Sequence, residues 1–462
     1  MAQESYDVIV IGSGPGGYTA AARAAEHGLK AVCIEKSPRL GGVCLNVGCI
    51  PSKALLDSSE HFEYTRTKLA EHGVNVNDVT FDLTRMMSRK DAIVENLTGQ
   101  VRRLLNNRKV EIVHGAARLI AADRVEVLME NVSRILSAKY ILLAAGSEPV
   151  NVPGLVFDGK YIVTSTEALA FDRVPKHLVI VGGGYIGLEL GTVWRRLGAK
   201  VTVIEMLPEI ASTLDRQIGR TLQRLLEKQG MSFHLGTRAS QAQVIGETVW
   251  VTLETEDKSA TIECDKLLVA VGRKPLTTGL GLEDVGVKTD ARSGQIVVDA
   301  AYCTTIPNIY AIGDLIAGPM LAHKASAEAR AAVDGFAGLY SEVNYDALPA
   351  VVYTWPEAAS VGLTEEQLKA REIPYKTGNF PFNGVGRALC LGEKEGFVKM
   401  LAHAKTDRLL GVHIIGPRAS ELIAECTLAM EFGASAEDLA RTIHAHPTLA
   451  EGIQEAAWSI IK

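Results

Sequence analysis

Two stretches of the chain share one pattern of apolar, polar and glycine positions. Each begins with an apolar run of strand length and passes through a Gly-x-Gly-x-x-Gly turn. About ten residues of helical periodicity follow, closed by glycine, and a second apolar run ends in Glu. The stretches are residues 8–35 and 178–205, and they superimpose at a constant offset of 170. The pattern predicts a strand–helix–strand unit that occurs twice, and therefore an α/β fold.

The glycines of these turns have separate tasks in a Rossmann-like dinucleotide-binding domain. The first makes the tight turn, the second lets a pyrophosphate approach the backbone, and the third lets helix pack on strand. A carboxylate about 20 residues later accepts hydrogen bonds from the adenosine ribose hydroxyls. One such motif is also typical of a turn without a ligand, but two copies in full context predict two nucleotide-binding domains. The residues are Gly12, Gly14, Gly17 and Glu35 in the first copy and Gly182, Gly184, Gly187 and Glu205 in the second.

A further apolar run follows each copy, at residues 140–149 and 266–275. Each run contains a glycine, Gly146 or Gly272, with a proline soon after it. Either run alone is typical of a core strand and turn, but in this order we expect each to close its nucleotide-binding unit. The residues after Pro149 have the composition of a linker, and the composition of the sequence changes at Pro349. Both features support a division of the chain into domains. The sequence predicts four domains: nucleotide-binding domains at 1–148 and 149–272, a central domain at 273–345 and a C-terminal domain at 346–462.

Composition and charge narrow the class of partner. The 462 residues suffice for about three domains. The net charge of −6 without a basic block argues against nucleic acid or an anionic membrane surface as the main partner. We find no apolar run of membrane-spanning length, and the N-terminus enters a strand pattern at once, which predicts a cytoplasmic protein. Seven cysteines, an odd number in a long chain, argue against a secreted disulfide framework, so a functional cysteine is expected to be redox-active or metal-binding.

One close pair of cysteines, Cys44 and Cys49, lies in the segment Gly-Gly-Val-Cys-Leu-Asn-Val-Gly-Cys-Ile-Pro-Ser-Lys at residues 41–53. Pro51 predicts the first turn of a helix, so Cys49 sits just before a helix N-terminus, where a thiolate is favoured. Lys53, one turn on, adds to that effect. Two alternatives stay open from the residues alone: buried reduced thiols, and a zinc half-site, which lacks a second Cys-x-x-Cys or a His pair.

This segment and the two nucleotide units resemble the flavin disulfide reductase family. Ala-Ile-Gly-Asp at 311–314 and His-Ala-His-Pro-Thr-Leu-Ala-Glu at 444–451 belong to the same resemblance, which spans essentially the whole chain in the expected order. It implies FAD on the first unit, NAD on the second, a central domain that completes the FAD site, and a C-terminal α+β dimerisation domain. It also implies that Cys49 is the thiolate that touches the flavin and that Cys44 is the thiol that exchanges with the substrate disulfide.

The resemblance assigns roles to further side chains. Asp314 is expected to hold the flavin ribityl chain, although Gly-Asp after a strand is by itself typical of a turn. Lys53 and Glu189 are expected to form an ion pair beside the flavin ring, and without the family they are two unrelated charges. His446 is expected to be the general acid/base, oriented by Glu451 across Pro447. His444 is the competing histidine.

Within the family, the pattern most resembles enzymes that oxidise dihydrolipoyl groups and reduce NAD⁺. The chain has no Lys or Arg between Glu205 and Arg216, where NADP-dependent glutathione reductases carry arginines for the 2′-phosphate. Tyr185 departs from this pattern because Tyr is typical of glutathione reductases at that position. A glutathione reductase and a nucleotide-binding protein without turnover are the alternatives.

The resemblance also implies partners and assembly. We expect a homodimer in which the histidine of one subunit reaches the cysteines of the other. The expected partners are the lipoyl domains of 2-oxo acid dehydrogenase complexes or the glycine cleavage H protein, and no metal, nucleic acid or membrane partner is expected.

Overall fold

The structure is a computed structural model that describes residues 4–130 and 132–461. Two compact units make up the chain. The first comprises the residues up to Ala54, Met87–Val150 and Gly272–Val343, and the second comprises Leu55–Met86, Asn151–Val271 and the residues from Asn344 on. The predicted division into four domains is a finer one and stays a prediction.

The strands of the described residues are β1 (Glu4–Ile11), β2 (Ala31–Glu35), β3 (Glu111–His114), β4 (Ala116–Ala121), β5 (Arg124–Leu128), β6 (Ser133–Leu143), β7 (Ser147–Pro149), β8 (Ile162–Val163), β9 (His177–Val181), β10 (Lys200–Ile204), β11 (Met231–His234), β12 (Arg238–Ile245), β13 (Thr248–Glu254), β14 (Ser259–Cys264), β15 (Lys266–Val269), β16 (Arg273–Pro275), β17 (Ile309–Ala311), β18 (Ala350–Val352), β19 (Glu357–Gly362), β20 (Tyr375–Pro381), β21 (Phe397–His403) and β22 (Leu409–Gly416).

The α-helices are α1 (Pro15–Glu26), α2 (Gly42–Val47), α3 (Cys49–Thr67), α4 (Leu83–Asn107), α5 (Ser165–Ala168), α6 (Tyr185–Arg196), α7 (Arg216–Lys228), α8 (Leu282–Val285), α9 (Ala322–Phe336), α10 (Glu365–Ala370), α11 (Gly386–Leu391), α12 (Ala419–Glu431), α13 (Ala436–Arg441) and α14 (Glu451–Ile461). Short 3-10 helices occur at Leu69–His72, Gly313–Leu315, Tyr345–Ala347 and Phe382–Gly384.

The first unit contains a large sheet with the strand order β3-β2-β1-β6-β5-β4, in which β17 also pairs with β6, and the two-stranded sheet β16-β7. Strands β1, β2, β3, β6 and β17 are parallel, whereas β5 pairs with both β6 and β4 in antiparallel orientation. Val8, Ile9 and Val10 of β1 are fully buried, as expected for a central strand of a parallel sheet. Helix α1 packs on α9, where Gly16 lies against Ala325. The first predicted strand–helix–strand unit is therefore β1-α1-β2.

The second unit contains three sheets. A parallel sheet has the order β11-β10-β9-β15-β8, and its β9-α6-β10 segment is the second predicted repeat. An antiparallel sheet has the order β12-β13-β14. The antiparallel sheet β18-β19-β22-β21-β20 packs against α12 and α14 around a core that includes Phe382, Met400 and Ile453. The predicted fold class, α/β with two nucleotide-binding units and an α+β C-terminal region, is confirmed.

The C-terminal region presents apolar side chains to solvent. Leu428, in the last turn of α12, is 59% exposed, and Phe432, directly after that helix, is 81% exposed. Ile443, shortly after α13, is 95% exposed. We call Leu428, Phe432 and Ile443 the exposed apolar face. Exposed apolar side chains of this size favour a surface that another protein covers.

Candidate active site

The first glycine turn leaves no room for side chains at two of its three glycines. Gly12 has φ +102°, and a Cβ there would lie 2.4 Å from the carbonyl oxygen of Ala144. A Cβ at Gly17 would lie 1.9 Å from the carbonyl oxygen of Gly12. Since real Cβ atoms essentially never come this close to other atoms, both positions require glycine.

The second turn has the same geometry. Gly182 has φ +111°, and a Cβ there would lie 2.4 Å from the carbonyl oxygen of Ala270. A Cβ at Gly187 would lie 2.3 Å from the carbonyl oxygen of Gly182. The first glycine of each motif therefore passes the neighbouring strand at close range, and the third packs helix on turn.

The middle glycine of each motif faces open space instead. Gly14 and Gly184 are the N-cap residues of α1 and α6. The atom nearest to a Cβ at Gly14 is the Cα of Gly42, 4.0 Å away, and no atom lies within 4 Å of a Cβ at Gly184. This space lies at the backbone N–H groups of a helix N-terminus, so both turns fit a pyrophosphate.

The two predicted carboxylates contact the glycine turns of their own units. Glu35 is 7% exposed and accepts hydrogen bonds from the Ser13 N–H at 2.9 Å, the Ser13 hydroxyl at 2.6 Å and the Ser37 N–H at 2.9 Å. Glu205 accepts hydrogen bonds from the Gly183 N–H at 2.6 Å and the Leu207 N–H at 2.7 Å. Each carboxylate thus stabilises its turn, a role that the sequence motif did not reveal. Oε1 of Glu35 and both oxygens of Glu205 accept one hydrogen bond each, which leaves a lone pair on each of them for ribose hydroxyls.

Cys44 and Cys49 lie together on consecutive helices. Cys44 is in α2, and Cys49, which was predicted to lie just before a helix N-terminus, is itself the first residue of α3. Pro51 lies in the first turn of α3 as expected. Helix α2 forms because Gly41, with φ +98°, turns the chain in the left-handed region before it.

The two sulfurs interact directly as free thiols. A side-chain hydrogen bond joins Cys44 to Cys49, and the Cys49 backbone N–H also bonds to Cys44. This bond with Cys49 and the burial of Cys44 raise the pKa of the Cys44 thiol, while the positive charge of Lys53 opposes the rise. The Cys44 thiol is therefore harder to ionise than a free cysteine, whereas Cys49 lies at a helix N-terminus, a position that favours a thiolate.

Asp314 lies in a network that the sequence did not indicate. Its Oδ2 accepts a hydrogen bond from the Ser147 hydroxyl at 2.5 Å. Arg273 donates to the Ser147 hydroxyl at 2.8 Å and to the Ser147 carbonyl at 2.6 Å. Both backbone groups of Gly313, the residue before Asp314, are bound by a buried pair, Lys324 and Glu328. No local sequence signal marks these partners, because Ser147 and Asp314 are 167 residues apart.

Gly146 and Gly272 also belong to this region. Gly146 has φ +77° and Gly272 has φ +135°, and a Cβ at either would meet no atom within 4 Å. The segments that follow them, β7 and β16, pair with each other in antiparallel orientation. The two apolar runs found in the sequence are thus the central strands β6 and β15 of their sheets, each followed by a glycine of unusual conformation.

Lys53 and Glu189 belong to different units, and their predicted ion pair stays a prediction. Lys53 lies close enough to the cysteine pair to lower the pKa of Cys44. Glu189 is buried on α6, and its Oε1 accepts a hydrogen bond from the Tyr353 N–H at 3.1 Å. A buried carboxylate with a backbone donor is not an unrelated surface charge, which was the alternative explanation for Glu189.

His446 and Glu451 form the predicted pair. His446 Nδ1 lies 2.8 Å from Glu451 Oε1, and the Thr448 N–H donates to Glu451 Oε2 at 2.9 Å. The hydrogen bond with His446, followed by that with Thr448, lowers the pKa of Glu451. Because the imidazole side chain is 78% exposed and Glu451 contacts Nδ1, Nε2 is the nitrogen presented to an incoming group.

His444, the competing histidine, is held differently. Its side chain is only 5% exposed, Nε2 lies 2.7 Å from Glu425 Oε1, and Nδ1 lies 2.8 Å from the Thr442 carbonyl oxygen. Both ring nitrogens of His444 are therefore engaged within the chain, so the geometry favours His446 as the histidine that exchanges protons.

The described residues lack two further kinds of feature, a metal-binding cluster and a membrane-spanning helix. Within residues 4–130 and 132–461, no group of three or more His, Cys, Asp or Glu side chains is arranged to hold a metal ion. Over the same part of the chain, no helix combines the length and apolarity needed to cross a membrane.

Comparisons with known proteins agree with this arrangement. The model of the pyridine nucleotide-disulphide oxidoreductase family matches residues 6–329, and that of its dimerisation domain matches residues 348–457. The chain is 47% identical over 456 residues to the mitochondrial dihydrolipoyl dehydrogenase of Pisum sativum, covering 98% of this chain and 91% of the relative. It is 48% identical over 461 residues to dihydrolipoyl dehydrogenase 3 of Pseudomonas putida, covering 99% and 98%. The crystal structure of LpdA from Mycobacterium tuberculosis superimposes with a TM-score of 0.90 at 28% identity, over 98% of this chain and 99% of LpdA.

Proposed function

The chain belongs to the pyridine nucleotide-disulphide oxidoreductase family, and from this premise we propose that it oxidises dihydrolipoyl groups to the lipoyl disulfide and reduces NAD⁺ to NADH. The sequence-based assignment to this family of oxidoreductases is confirmed. The observation that carries the proposal is the hydrogen-bonded Cys44–Cys49 pair at the start of α3. The curated relatives named dihydrolipoyl dehydrogenase support the choice of substrate.

FAD and NAD are the cofactors, as predicted from the sequence. The turn at Gly12, Gly14 and Gly17 would hold FAD with Glu35 and Asp314, and the turn at Gly182, Gly184 and Gly187 would hold NAD with Glu205. When bound, FAD accepts two electrons from the dithiol and NAD⁺ accepts a hydride, which is chemistry that no side chain supplies. The chain contributes position, charge and proton transfer.

The cysteines carry out a thiol–disulfide exchange when they are oxidised to a disulfide. One dihydrolipoyl thiolate attacks the sulfur of Cys44, which forms a mixed disulfide and breaks the bond to Cys49. The electron pair of that bond stays on Cys49 as a thiolate. The second dihydrolipoyl thiol then attacks the sulfur of the substrate in the mixed disulfide, so the lipoyl disulfide closes and Cys44 leaves as a thiol. Two observations support these roles: the pKa of the Cys44 thiol is raised, and Cys49 lies at the N-terminus of α3, a position that favours a thiolate.

His446 takes the proton that the substrate thiol loses in this exchange. Glu451 holds Nδ1 and stabilises the imidazolium, so Nε2 accepts the proton. Glu451 is the first residue of α14, and its second oxygen is fixed by the Thr448 N–H, which sets the direction of the carboxylate. Glu451 is therefore the orienting partner and His446 the base.

A homodimer is supported by the match to the dimerisation-domain model and by the exposed apolar face. We propose that His446 of one subunit serves the cysteines of the other. Cys44→Ser and His446→Ala homodimers are then each inactive, and a hybrid dimer restores one of its two sites. Random pairing of equal amounts gives about one quarter of wild-type activity by two-fold counting. Hybrid dimers that are shown to form but have no activity would contradict an active site shared between the two subunits.

We propose lipoyl domains of 2-oxo acid dehydrogenase complexes, or the glycine cleavage H protein, as the protein partners. The lipoyl group is a dithiol on a mobile arm, and the exposed imidazole of His446 is accessible to such an arm in a single chain. The cytoplasmic location stays a prediction from the sequence.

One comparison of substrates tests the proposed function. We expect rapid NAD⁺ reduction with dihydrolipoamide and no comparable oxidation of NADPH with glutathione disulfide, followed by absorbance at the wavelength of the reduced nicotinamide. Cys44→Ser is the matched control because it is a nearly isosteric change that removes the sulfur that the substrate thiolate attacks. A preference for NADPH and glutathione disulfide would assign the chain to the glutathione reductases, in which Tyr is typical at the position of Tyr185. Inactivity with both substrates would favour a nucleotide-binding protein without turnover.

A further inference from the structure

Two buried charges stand directly behind the loop that carries Asp314. Lys324 and Glu328 lie one turn apart on α9, and Lys324 Nζ is 2.9 Å from Glu328 Oε1. Both side chains are fully buried. Removing two charges from water costs several kcal/mol per ion, and a pair of apolar side chains of similar size is often more stable. A pair of this kind therefore calls for a local explanation.

The remaining hydrogen bonds of the pair converge on one residue. The Gly313 N–H donates to Glu328 Oε2 at 2.7 Å, and Lys324 Nζ donates to the Gly313 carbonyl oxygen at 3.0 Å. The pair thus binds the peptide groups on both sides of the Gly313 Cα. Gly313 has φ +70°, and the chain closes over the lysine further on, where a Cβ at Gly318 would lie 2.8 Å from Lys324 Cε.

Asp314 is the next residue, so its backbone direction is set by this clamp. The other side of the Asp314 carboxylate is held by Ser147, and Ser147 is held by Arg273. The carboxylate is therefore fixed through its main chain by Lys324 and Glu328 and through its side chain by Ser147. Only Oδ2 is used by Ser147, which leaves Oδ1 for a ligand hydroxyl.

We propose that Lys324 and Glu328 are a positioning pair that aims the Asp314 carboxylate at FAD, and that the affinity of the chain for FAD depends on this pair through Asp314. The inference rests on the proposed function in so far as Asp314 holds FAD. Neither Lys324 nor Glu328 needs to touch the cofactor. The pair acts by fixing the Gly313 peptide groups, and a pair that served only stability would be replaceable by apolar residues without loss of FAD binding.

The decisive comparison uses two uncharged double variants of matched size. Lys324→Met/Glu328→Leu removes both charges and the acceptor for the Gly313 N–H, whereas Lys324→Met/Glu328→Gln removes both charges and keeps an acceptor oxygen. The dissociation constant of FAD is measured by flavin fluorescence on apoprotein reconstituted with FAD, beside the thermal unfolding of each variant. We expect the Leu variant to bind FAD at least about tenfold more weakly than the wild type, and the Gln variant to recover most of that loss. The proposal is overturned when both variants bind FAD as tightly as the wild type does.

Coupling to Asp314 separates positioning from a general effect on the fold. In an Asp314→Asn background, the same replacement of Lys324 and Glu328 is expected to weaken FAD binding by less than about threefold, because the anchor is already impaired. An undiminished tenfold loss in that background would show that the pair does not act through Asp314, which overturns the proposal.

A charge-preserving variant covers the case in which the Leu variant does not fold. Glu328→Asp keeps the negative charge but shortens the reach, so it cannot bind Lys324 and the Gly313 N–H in the present geometry. We expect FAD binding to weaken by at least about threefold, and unchanged binding overturns the proposal. Failure of the proposed function can be told apart from failure of this inference. A wild-type chain that binds FAD but does not oxidise dihydrolipoamide contradicts the proposed function, whereas every experiment on Lys324 and Glu328 measures FAD binding.

Discussion

The two glycine turns have the same backbone and different surroundings. The repeat continues beyond the glutamates, because Glu35 accepts from residue 37 and Glu205 from residue 207. Gly41 N–H donates to the Ser13 carbonyl oxygen, and Ala211 N–H donates to the Gly183 carbonyl oxygen, again at the offset of 170. Both Gly41 and Ala211 have positive φ. The structural repeat thus extends to residues 41 and 211, although the residue types at these two positions differ.

The difference lies in what covers each turn. In the first unit, Gly42 packs on Gly14, where a Cβ at Gly42 would lie 2.6 Å from the Gly14 Cα. The Ser13 hydroxyl adds a bond to Glu35 and accepts one from the Gly41 N–H at 3.2 Å. The second unit has Gly183 at the position of Ser13, so these bonds are missing, and Gly184 and Tyr185 are exposed.

We propose that this difference lets one backbone serve a resident and an exchanging cofactor. On this proposal, the covered first turn holds FAD through many turnovers, and the exposed second turn admits NAD, which enters and leaves in each turnover. The reactive cysteines follow at the point where the repeat ends, since α2 begins at Gly42 and carries Cys44. The covering of the first turn and the redox pair are therefore one continuous segment.

Replacing the first glycine of each turn is expected to have the largest effect. Gly12→Ala and Gly182→Ala place a methyl group 2.4 Å from a carbonyl oxygen at a positive φ, so each destabilises its unit by more than about 4 kcal/mol. Thermal unfolding and the FAD content of the purified protein measure this. Gly184→Ala is the control, because its Cβ meets no atom within 4 Å and its φ is −81°, so it keeps the melting temperature and raises the KM for NAD⁺. A Gly12→Ala chain with normal FAD content would contradict the geometry.

Replacing Glu35 or Glu205 by Gln is expected to have the next largest effects, and the loss of stability is expected to be larger for Glu35. Glu35→Gln turns one acceptor of a buried, threefold bonded carboxylate into a donor, which costs about 2 kcal/mol and accelerates FAD release. Glu205→Gln meets the same problem in a half-buried site where water can substitute, so it costs less than about 1 kcal/mol. Melting temperatures and FAD release rates of the two variants give the comparison, and equal destabilisation would refute the difference in cover.

Cofactor choice is expected to depend on the charge of Glu205. Its carboxylate would repel a 2′-phosphate, so the wild type prefers NAD⁺ to NADP⁺ by more than about tenfold in kcat/KM, or about 1.4 kcal/mol. Glu205→Ala narrows the gap, chiefly by improving NADP⁺. Glu227→Ala, which removes an exposed carboxylate on α7, is the matched control and leaves the ratio unchanged. Equal use of both cofactors by the wild type would contradict the assignment.

The smallest effect is expected from making the first turn like the second. Ser13→Gly removes the hydroxyl bonds to Glu35 and from Gly41 but keeps the backbone bonds, so it costs about 1 kcal/mol and releases FAD about fivefold faster. The reverse change, Gly183→Ser, gains nothing, because its Cβ would lie 3.1 Å from Ile210 and 3.2 Å from Glu205. Unaltered FAD release in Ser13→Gly would show that cover by Gly42 alone retains FAD.

The sequence predicted the parts of the site that depend on local spacing. The glycine turns and the helix at Pro51 follow from backbone geometry that a short motif encodes. Helix α2 was not predicted, because its start depends on the positive φ of Gly41, which the sequence pattern does not reveal. The partner of Asp314, Ser147, was missed because it lies 167 residues away in the sequence. The Lys324–Glu328 pair that binds Gly313 was missed because a charged Lys on a helix is usually exposed, and only tertiary packing buries it.

In the proposed homodimer, the exposed apolar face would govern how fast active enzyme accumulates. A newly folded chain would present Leu428, Phe432 and Ile443 to water until a second chain covers them, and the final step of maturation would then be second order in chain concentration. Diluting refolding chains is expected to lengthen this step without slowing the folding of either unit. At very low concentration, folded single chains persist, and they remain prone to association with other apolar surfaces for as long as their search for a second copy lasts.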